Sequence, residues 1–199
     1  MCQLHNHKAW RLHYTKTKAR LVYPDETVVR YFSKYRSYFP KPLVLDLGCG
    51  FGRHLDFLRG EEIPCVGLDY AFEPLIGRQN VIQATACSLP FRDAVFDVVL
   101  SWGVIHYLKE EEVSVFLREV HRVLKKKGVF LLTVRSDVDT HLQKTVEKDL
   151  AGACVTTYSR KEAEKTLRPL FATLRYGFLL RMPLGEEEVV AHHVFEAIK

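Results

Sequence analysis

Short apolar runs alternate with amphipathic segments over most of the chain. The runs predict buried strands at 43–47, 64–68, 81–84, 96–101 and 129–134. The clearest helix predicted between them is 110–127, in which Val113, Phe116, Leu117, Val120 and Leu124 repeat at helical spacing and Gly128 follows. Shorter helices are predicted at 53–59 and 72–78. The alternation predicts an α/β fold, a mainly parallel sheet with helices on both faces.

The flanking segments complete one predicted domain of 199 residues. Residues 1–40 form an amino-terminal arm and a helix that begins near Asp25, and residues 41–134 form the core. The polar segment 135–158 is too long for an ordinary connection, so we interpret it as a lid over the substrate. Residues 159–199 form a helix, started by the capping box of Ser159 and Glu162, and a terminal hairpin.

Composition narrows the class of protein. Hydrophobic residues make up 47% and charged residues 27%, which excludes a mainly disordered chain. No apolar run has the length of a membrane span, and the amino terminus has no apolar signal core. The five cysteines are scattered and odd in number, and neither they nor the histidines have zinc-site spacing. These features predict a reduced, cytoplasmic protein that binds neither membrane nor metal.

The net charge of +5 is compatible with an anionic partner but does not require one. Glu110–Glu112 fall in the first turn of the long predicted helix, and Lys125–Lys127 fall at its end. Such a distribution complements the helix dipole. We therefore favour a structural explanation of the lysines over an RNA-binding patch.

The candidate chemistry begins at the first strand, where residues 43–52 read LVLDLGCGFG. Three alternate glycines allow a sharp turn and a close approach of a ligand to the backbone. A dinucleotide-binding fingerprint would need a further glycine where Arg53 lies, and a phosphate-binding P-loop would need a Gly-Lys-Ser/Thr triplet, which the chain lacks. A nicotinamide-dependent oxidoreductase and a nucleotide triphosphatase are therefore disfavoured.

The remaining pattern, D-x-G-x-G-x-G, resembles the class I S-adenosylmethionine-dependent methyltransferases in their small single-domain, type 11-like form. The resemblance implies a doubly wound, Rossmann-like sheet of seven strands, mainly parallel, with an antiparallel carboxyl-terminal strand. A second match lies about 20 residues further on, where Asp69 ends the second strand at the place of a ribose-binding acid. The alternative interpretation is that Asp69 only caps the helix that follows.

The resemblance also implies roles for individual residues. Asp46 would orient the glycine turn by accepting its amides, Gly48 and Gly50 would pass close to the methionyl part, and Asp69 would hold the ribose. Gly52 and Tyr70 are further candidate cofactor-binding residues. The stretch TACSLPF at 85–91 resembles the family's adenine-binding loop, with Thr85 in place of the usual acid and Ala86 and Cys87 offering backbone groups. Ser101 and Trp102 would line the methionine end, and Tyr14 is a weaker candidate for a lid contact.

The sequence thus predicts methyl transfer from S-adenosylmethionine, which leaves S-adenosylhomocysteine as the product. His106 is the candidate general base, although a purely structural histidine is the alternative. We expect a small-molecule acceptor rather than RNA. A tRNA base methyltransferase remains open because residues 104–108 also resemble those of wobble-uridine tRNA methyltransferases, and so does a regulatory protein that binds the cofactor without turnover.

Overall fold

The computed structural model describes residues 7–35, 41–142, 150 and 153–199. Its helices are α1 (His7–Tyr14), α2 (Glu26–Tyr35), α3 (Arg53–Gly60), α4 (Glu110–Val123) and α5 (Arg160–Leu167). Its strands are β1 (Val44–Leu47), β2 (Cys65–Asp69), β3 (Val81–Gln83), β4 (Phe96–Ser101), β5 (Leu124–Arg135), β6 (Thr173–Arg181) and β7 (Val190–Ile198). Single 3₁₀ turns lie at Thr17–Ala19, Glu73–Leu75 and Ile105–Tyr107.

The strands form one seven-stranded sheet in the order β3-β2-β1-β4-β5-β7-β6. The first five strands are parallel, and β7 runs antiparallel to both β5 and β6. The predicted fold class and the terminal hairpin are therefore confirmed. The strand order reverses between β1 and β4, and ligands of doubly wound sheets bind at such a point, outside the carboxyl ends of the strands.

Apolar side chains cover the sheet on both faces, as the strand runs predicted. Leu45 and Leu47 of β1 pack on the side of α4 and α5, whereas Val44 packs on the side of α2 and α3. The helices α2, α3, α4 and α5 turn apolar side chains to the sheet, with Phe116 of α4 and Leu55 of α3 fully buried. Burial of this kind contributes roughly 1.5–3 kcal/mol per large side chain, so the two layers hold the strand ends in place.

The long helix ends four residues earlier than predicted. α4 stops at Val123 and the chain passes directly into β5, in which Leu124 pairs with Phe96 and Lys125 forms an ion pair with Asp97 at 2.8 Å. Leu124 satisfies the helical period and also fits the strand, so spacing alone could not place the boundary. The interpretation that Lys125–Lys127 complete the helix dipole is wrong.

Two other sequence predictions need correction. The helix predicted at 72–78 is a single 3₁₀ turn, since Pro74 supplies no amide hydrogen and Gly77 has a positive φ of 74°. Among the cysteines, Cys49, Cys65 and Cys154 are free but Cys87 is disulfide-bonded, so the expectation of a fully reduced protein is wrong. Pairing depends on proximity in the fold, which the scatter of cysteines along the chain does not reveal.

The predicted lid falls partly outside the described residues, which leave out 143–149 and 151–152. Its two ends are fixed to each other, because the Asp137 amide donates to the Tyr158 carbonyl and the Tyr158 amide to the Arg135 carbonyl. A further amide, that of Thr156, donates to the carbonyl of His106. The ends of the segment therefore lie beside the carboxyl end of β5.

The described part of the chain contains no helix long and apolar enough to cross a membrane. In the same residues, no group of three or more His, Cys, Asp and Glu side chains could hold a metal ion.

Candidate functional site

A cavity of about 380 Å³ lies at the carboxyl ends of β1, β2, β4 and β5. α1 covers it on one side, and the ends of β6 and β7 border it on another. Of the residues named from the sequence, those that line it are Tyr14, Gly48, Gly50, Asp69, Tyr70, Ala86, Trp102 and His106. A cavity of this size suits one drug-sized ligand.

The glycine turn between β1 and α3 is fixed by the neighbouring strand. All three glycines have positive φ, and the amides of Gly48 and Cys49 donate to the Leu68 carbonyl at 2.7 and 3.1 Å. A side chain at Gly48 would clash with Val104, and one at Gly52 would clash with Arg78. A Cβ at Gly50 would lie 3.2 Å from the hydroxyl of Tyr14, which also lines the cavity.

Asp69 lies at the end of β2 with both carboxylate oxygens engaged. Its Oδ2 accepts from the Gly50 amide at 2.8 Å and from the Tyr14 hydroxyl at 3.4 Å, and its Oδ1 accepts from the Ala71 amide at 2.9 Å. Burial raises the pKa of Asp69, whereas the amide bonds lower it. The carboxylate therefore fastens its own turn and the glycine turn while it faces the cavity.

Asp46 lies deeper than the sequence suggested. It is buried in β1 with its Oδ2 lacking a hydrogen bond in the described structure, and it does not line the cavity. The turn amides that Asp46 was expected to accept donate to Leu68 and Asp69 instead. Burial raises the pKa of Asp46 to about 7, and the nearest basic group is the His54 Nδ1, at 3.9 Å.

The predicted adenine-binding loop contributes one side chain to the cavity wall, that of Ala86. The Thr85 hydroxyl accepts a hydrogen bond from the Cys87 amide at 3.3 Å, so these two groups bond to each other within the loop. Neither residue lines the cavity. Arg122 fixes the loop from α4 by donating to the carbonyls of Leu89 and Phe91 at 3.0 and 2.7 Å.

The two residues expected at the methionine end differ in position. Ser101 is 1% exposed and lies outside the cavity wall, whereas the next residue, Trp102, lines the cavity with its ring 6.2 Å from that of His54. Successive residues of a strand point to opposite faces, and here only one of the two points into the crevice.

His106 lines the cavity from the 3₁₀ turn after β4. It is 1% exposed, and its Nδ1 has no hydrogen-bond partner among the described residues. Burial first, then the charges of His192 and Arg135, lower its pKa well below the usual value. The ring is therefore neutral at physiological pH, which is the protonation state that a general base requires.

Aromatic side chains of α1 form one wall of the cavity. The Trp10 ring packs edge-on against Tyr107 with centroids 4.8 Å apart, and the Tyr14 ring packs against Phe51 at 5.5 Å. Burial raises the pKa of the Tyr14 phenol, as does the charge of Asp69. Tyr14 was only a weak candidate from the sequence, because irregular aromatic spacing does not show where an arm folds back.

Several polar residues of the cavity wall were not predicted: Asp25, Arg53, His54, Arg135, Arg181 and His192. Arg135 ends β5, where its Nε lies 2.7 Å from Asp139 and its Nη1 lies 3.0 Å from His192 Nε2. The sequence could have indicated Arg135 as a cavity residue, because it lies at the end of a predicted strand. No signal in the sequence could place Arg181, since the antiparallel hairpin brings it in from more than 100 residues away.

Comparisons with known proteins agree with this geometry. Residues 45–132 match the family described as methyltransferase domain. An uncharacterized methyltransferase of Synechocystis is 38% identical over 109 residues. This alignment covers 51% of the present chain and 49% of that protein. The human protein named probable tRNA methyltransferase 9B is 36% identical over 101 residues, 48% of this chain and 22% of that protein. The chain thus spans half or less of these relatives.

A solved structure gives the same fold. The Burkholderia thailandensis 1,6-didemethyltoxoflavin-N1-methyltransferase, with bound 1,6-didemethyltoxoflavin and S-adenosylhomocysteine, aligns with a TM-score of 0.68 at 19% identity, over 96% of this chain and 88% of that one. The seven-stranded sheet therefore has the Rossmann-like fold of solved methyltransferases. Residues 45–132 are in addition similar to the methyltransferase-domain family, so this part of the chain resembles S-adenosylmethionine-dependent methyltransferases.

The position of Asp46 generates a prediction about stability. The pKa of Asp46 is about 7 in the folded protein and about 3.9 in an unfolded chain. Between these two pH values the folded protein binds a proton that the unfolded chain does not. The free energy of unfolding therefore falls as the pH rises through that range. Asp46→Asn removes the ionisable group and keeps the shape. We expect its melting temperature relative to wild type to rise from pH 4.5 to pH 8. A constant difference across this range would contradict the buried, protonated carboxyl.

Proposed function

We propose that the protein transfers the methyl group of S-adenosylmethionine to a small-molecule acceptor. Bound in the cavity, the cofactor supplies a methyl group already activated by the sulfonium. The observation that carries the proposal is the Asp69 carboxylate, which is held by the amides of Gly50 and Ala71 and faces the cavity at the strand-order reversal. A ribose needs such an acceptor, and Gly50 leaves room for the chain beyond it.

The residues of the chain then align and shield the reacting groups. Asp69, with Tyr70 beside it, orients the ribose, while Ala86 borders the adenine. Trp102 lies at the methionyl end, and Tyr14 and Trp10 on α1 exclude water from above. Positioning of this kind can supply roughly 7–11 kcal/mol of barrier reduction in favourable cases. Neutral His106 accepts a proton from an oxygen or nitrogen acceptor through its unpartnered Nδ1.

A small acceptor is supported by the size of the cavity and by the location of the lysines. The cavity of about 380 Å³ lies under α1, and we propose that 135–158 contributes the rest of an acceptor lid. Lys126 lies near the start of β5, whereas Arg135 at its end lines the cavity. A strand rises about 3.3 Å per residue, so Lys126 and Arg135 lie about 30 Å apart along β5. The lysines are therefore badly placed to guide RNA to the cavity.

A tRNA acceptor is the second candidate, supported by the human relative named as a tRNA methyltransferase. The similarity covers 48% of this chain, and a flipped base could enter a closed pocket. The chain's net charge of +5 is also compatible with RNA. The two candidates share the cofactor site and differ in how the acceptor approaches.

The cofactor site can be tested by calorimetry with S-adenosylhomocysteine. Asp69→Asn keeps the size of the side chain but removes the charge, and a lost charged acceptor costs about 1.5–3 kcal/mol, so we expect affinity to fall at least about tenfold. Glu111→Gln, on the exposed first turn of α4, removes the same charge away from the cavity and serves as the control. An absence of binding by the natural protein would reject the proposal.

His106 can be tested separately from the cofactor. In His106→Gln we expect transfer of radiolabelled methyl groups to a small-metabolite extract to fall about 100-fold, since general bases contribute roughly that much, while affinity for S-adenosylhomocysteine stays within about twofold. Because burial keeps the His106 pKa low, the wild-type rate should show no loss due to imidazole protonation between pH 8 and pH 6. Full activity in the variant would assign His106 a structural role.

The acceptor class can be tested with bulk tRNA at 50 and 200 mM salt. A small-molecule enzyme should bind tRNA weakly at both concentrations. An RNA enzyme with six to ten phosphate contacts should bind tightly at low salt and lose about 10³–10⁵ in affinity at the higher concentration. Tight binding with that salt dependence would overturn the small-molecule proposal in favour of tRNA.

A further inference from the structure

One edge of the sheet is a long strand with a neighbour on one side alone. β6 pairs with β7 over nine residues, from Thr173 to Arg181, and it is the last strand in the sheet order. On its other side, no backbone hydrogen bond links it to any of the described residues. At about 3.3 Å per residue this edge is about 30 Å long, and its outward amides and carbonyls can pair with a further strand.

The same strand exposes apolar side chains on one face. Tyr176, Phe178 and Leu180 alternate along β6, with exposed fractions of 36%, 42% and 61%. Successive residues of a strand point to opposite faces, so these three side chains form one row, which exposed Met182 extends beyond the strand. α5 lies over the start of the row, where the Arg160 guanidinium is 4.0 Å from the centroid of the Tyr176 ring. Exposure rises from there towards the end of the strand.

The charged residues of β6 do not protect this edge. Native proteins often protect an edge strand with a charged side chain, a proline or a covering segment. Arg175 points to the face opposite the apolar row, where it forms an ion pair with Glu196 at 2.8 Å. Arg181 points to that face too and pairs with Asp25 at 3.2 Å. An exposed apolar row beside an unpaired edge is a site of association between chains.

The apolar row is self-complementary when two copies of β6 run antiparallel. In a pairing about a two-fold axis through Gly177, the centre of the strand, Tyr176 of one copy lies opposite Phe178 of the other. Leu174 then lies opposite Leu180. Directly opposite side chains share a face and touch, so every cross-strand pair on the exposed face is apolar.

The opposite face of β6 accepts the same register. Arg175 of one copy lies opposite Leu179 of the other, and Thr173 lies opposite Arg181. Like charges placed directly opposite each other would destabilise such a pair, and this register contains none. At the axis, Gly177 presents no side chain that could keep the two strands apart.

The charges beyond the two ends of β6 are complementary in this arrangement. The acidic residues Glu186–Glu188 follow the end of the strand. Residues 160–168, which comprise α5 and the residue after it, precede the start of the strand and contain four basic and two acidic residues. Antiparallel pairing brings the end of one strand to the start of the other. The acidic end of each copy therefore approaches the basic segment of the second copy.

We propose that the protein is a homodimer in which the β6 strands of two copies pair antiparallel about Gly177 and join the two sheets into one. Backbone hydrogen bonds form along the edge, and the apolar rows of the two copies bury each other. Because Arg181 lines the cavity, the pairing also places Thr173 of the second copy beside the cavity wall. The dimer does not depend on the proposed function.

Sedimentation over a series of protein concentrations tests the association. Wild type should sediment as a dimer at micromolar concentration. Leu180→Lys places a charge in the apolar row opposite Leu174, and burial of a leucine contributes roughly 1.5–3 kcal/mol, so we expect dimer affinity to fall at least about tenfold. Ile76→Lys is the matched control, since Ile76 is 65% exposed and follows β2 at the other side of the sheet. This control should dimerise as wild type does.

A cysteine at the two-fold axis tests the register. A Cβ at Gly177 would make one ordinary contact, 3.8 Å from Val194, so Gly177→Cys should fold. Opposite residues of paired strands come close enough for a disulfide, and mild oxidation should link this variant into a covalent dimer above the background of wild type. In Thr173→Cys the introduced cysteines would lie about 26 Å apart along the paired strands, so no link is expected.

Two results would overturn the proposal. A wild-type protein that stays monomeric at every concentration would leave the edge to a strand of another protein. A dimer that Leu180→Lys does not weaken, or that oxidation of Gly177→Cys does not link, would lie at a different surface. Neither result would bear on cofactor binding, which is measured by calorimetry on the same protein.

Discussion

The site depends on the hydrogen bonds of one buried carboxylate. Asp69 joins the end of β2 to the turn that follows β1, because its two oxygens accept from Gly50 on one side and Ala71 on the other. Both strands are buried in a parallel sheet, and their positions are set by packing on two faces. The ladder of β1 and β2 therefore determines where the carboxylate lies, and the carboxylate determines the shape of the glycine turn.

The sequence predicted the elements whose signal is local. Apolar runs placed the strands, and their alternation with helices predicted a mainly parallel sheet. The capping box of Ser159 and Glu162 was also sufficient to start α5. The boundary of α4 was not predictable, since Leu124 suits a helix and a strand equally and only its pairing with Phe96 decides.

The sequence predicted cavity residues near the glycine turn but not those on the other side of the cavity. Asp69 and Ala86 follow parallel strands in sequence order, so spacing locates them. Asp25, Arg181 and His192 reach the cavity through an amino-terminal segment and an antiparallel hairpin, and their proximity depends on tertiary structure. Asp46 shows a different difficulty. It belongs to the ligand-binding motif, but its side chain is buried in β1 and does not line the cavity, so membership of the motif does not assign its role.

The two tryptophans of the chain, Trp10 and Trp102, both line the cavity. One lies on α1 against Tyr107, and the other lies near His54 on the opposite side. Indole emission depends on the polarity around the ring, and here every indole of the protein borders the same space. Tryptophan fluorescence, excited selectively over that of the tyrosines, therefore reports on the surroundings of this cavity, and the protein contains its own optical probe for a ligand that enters it.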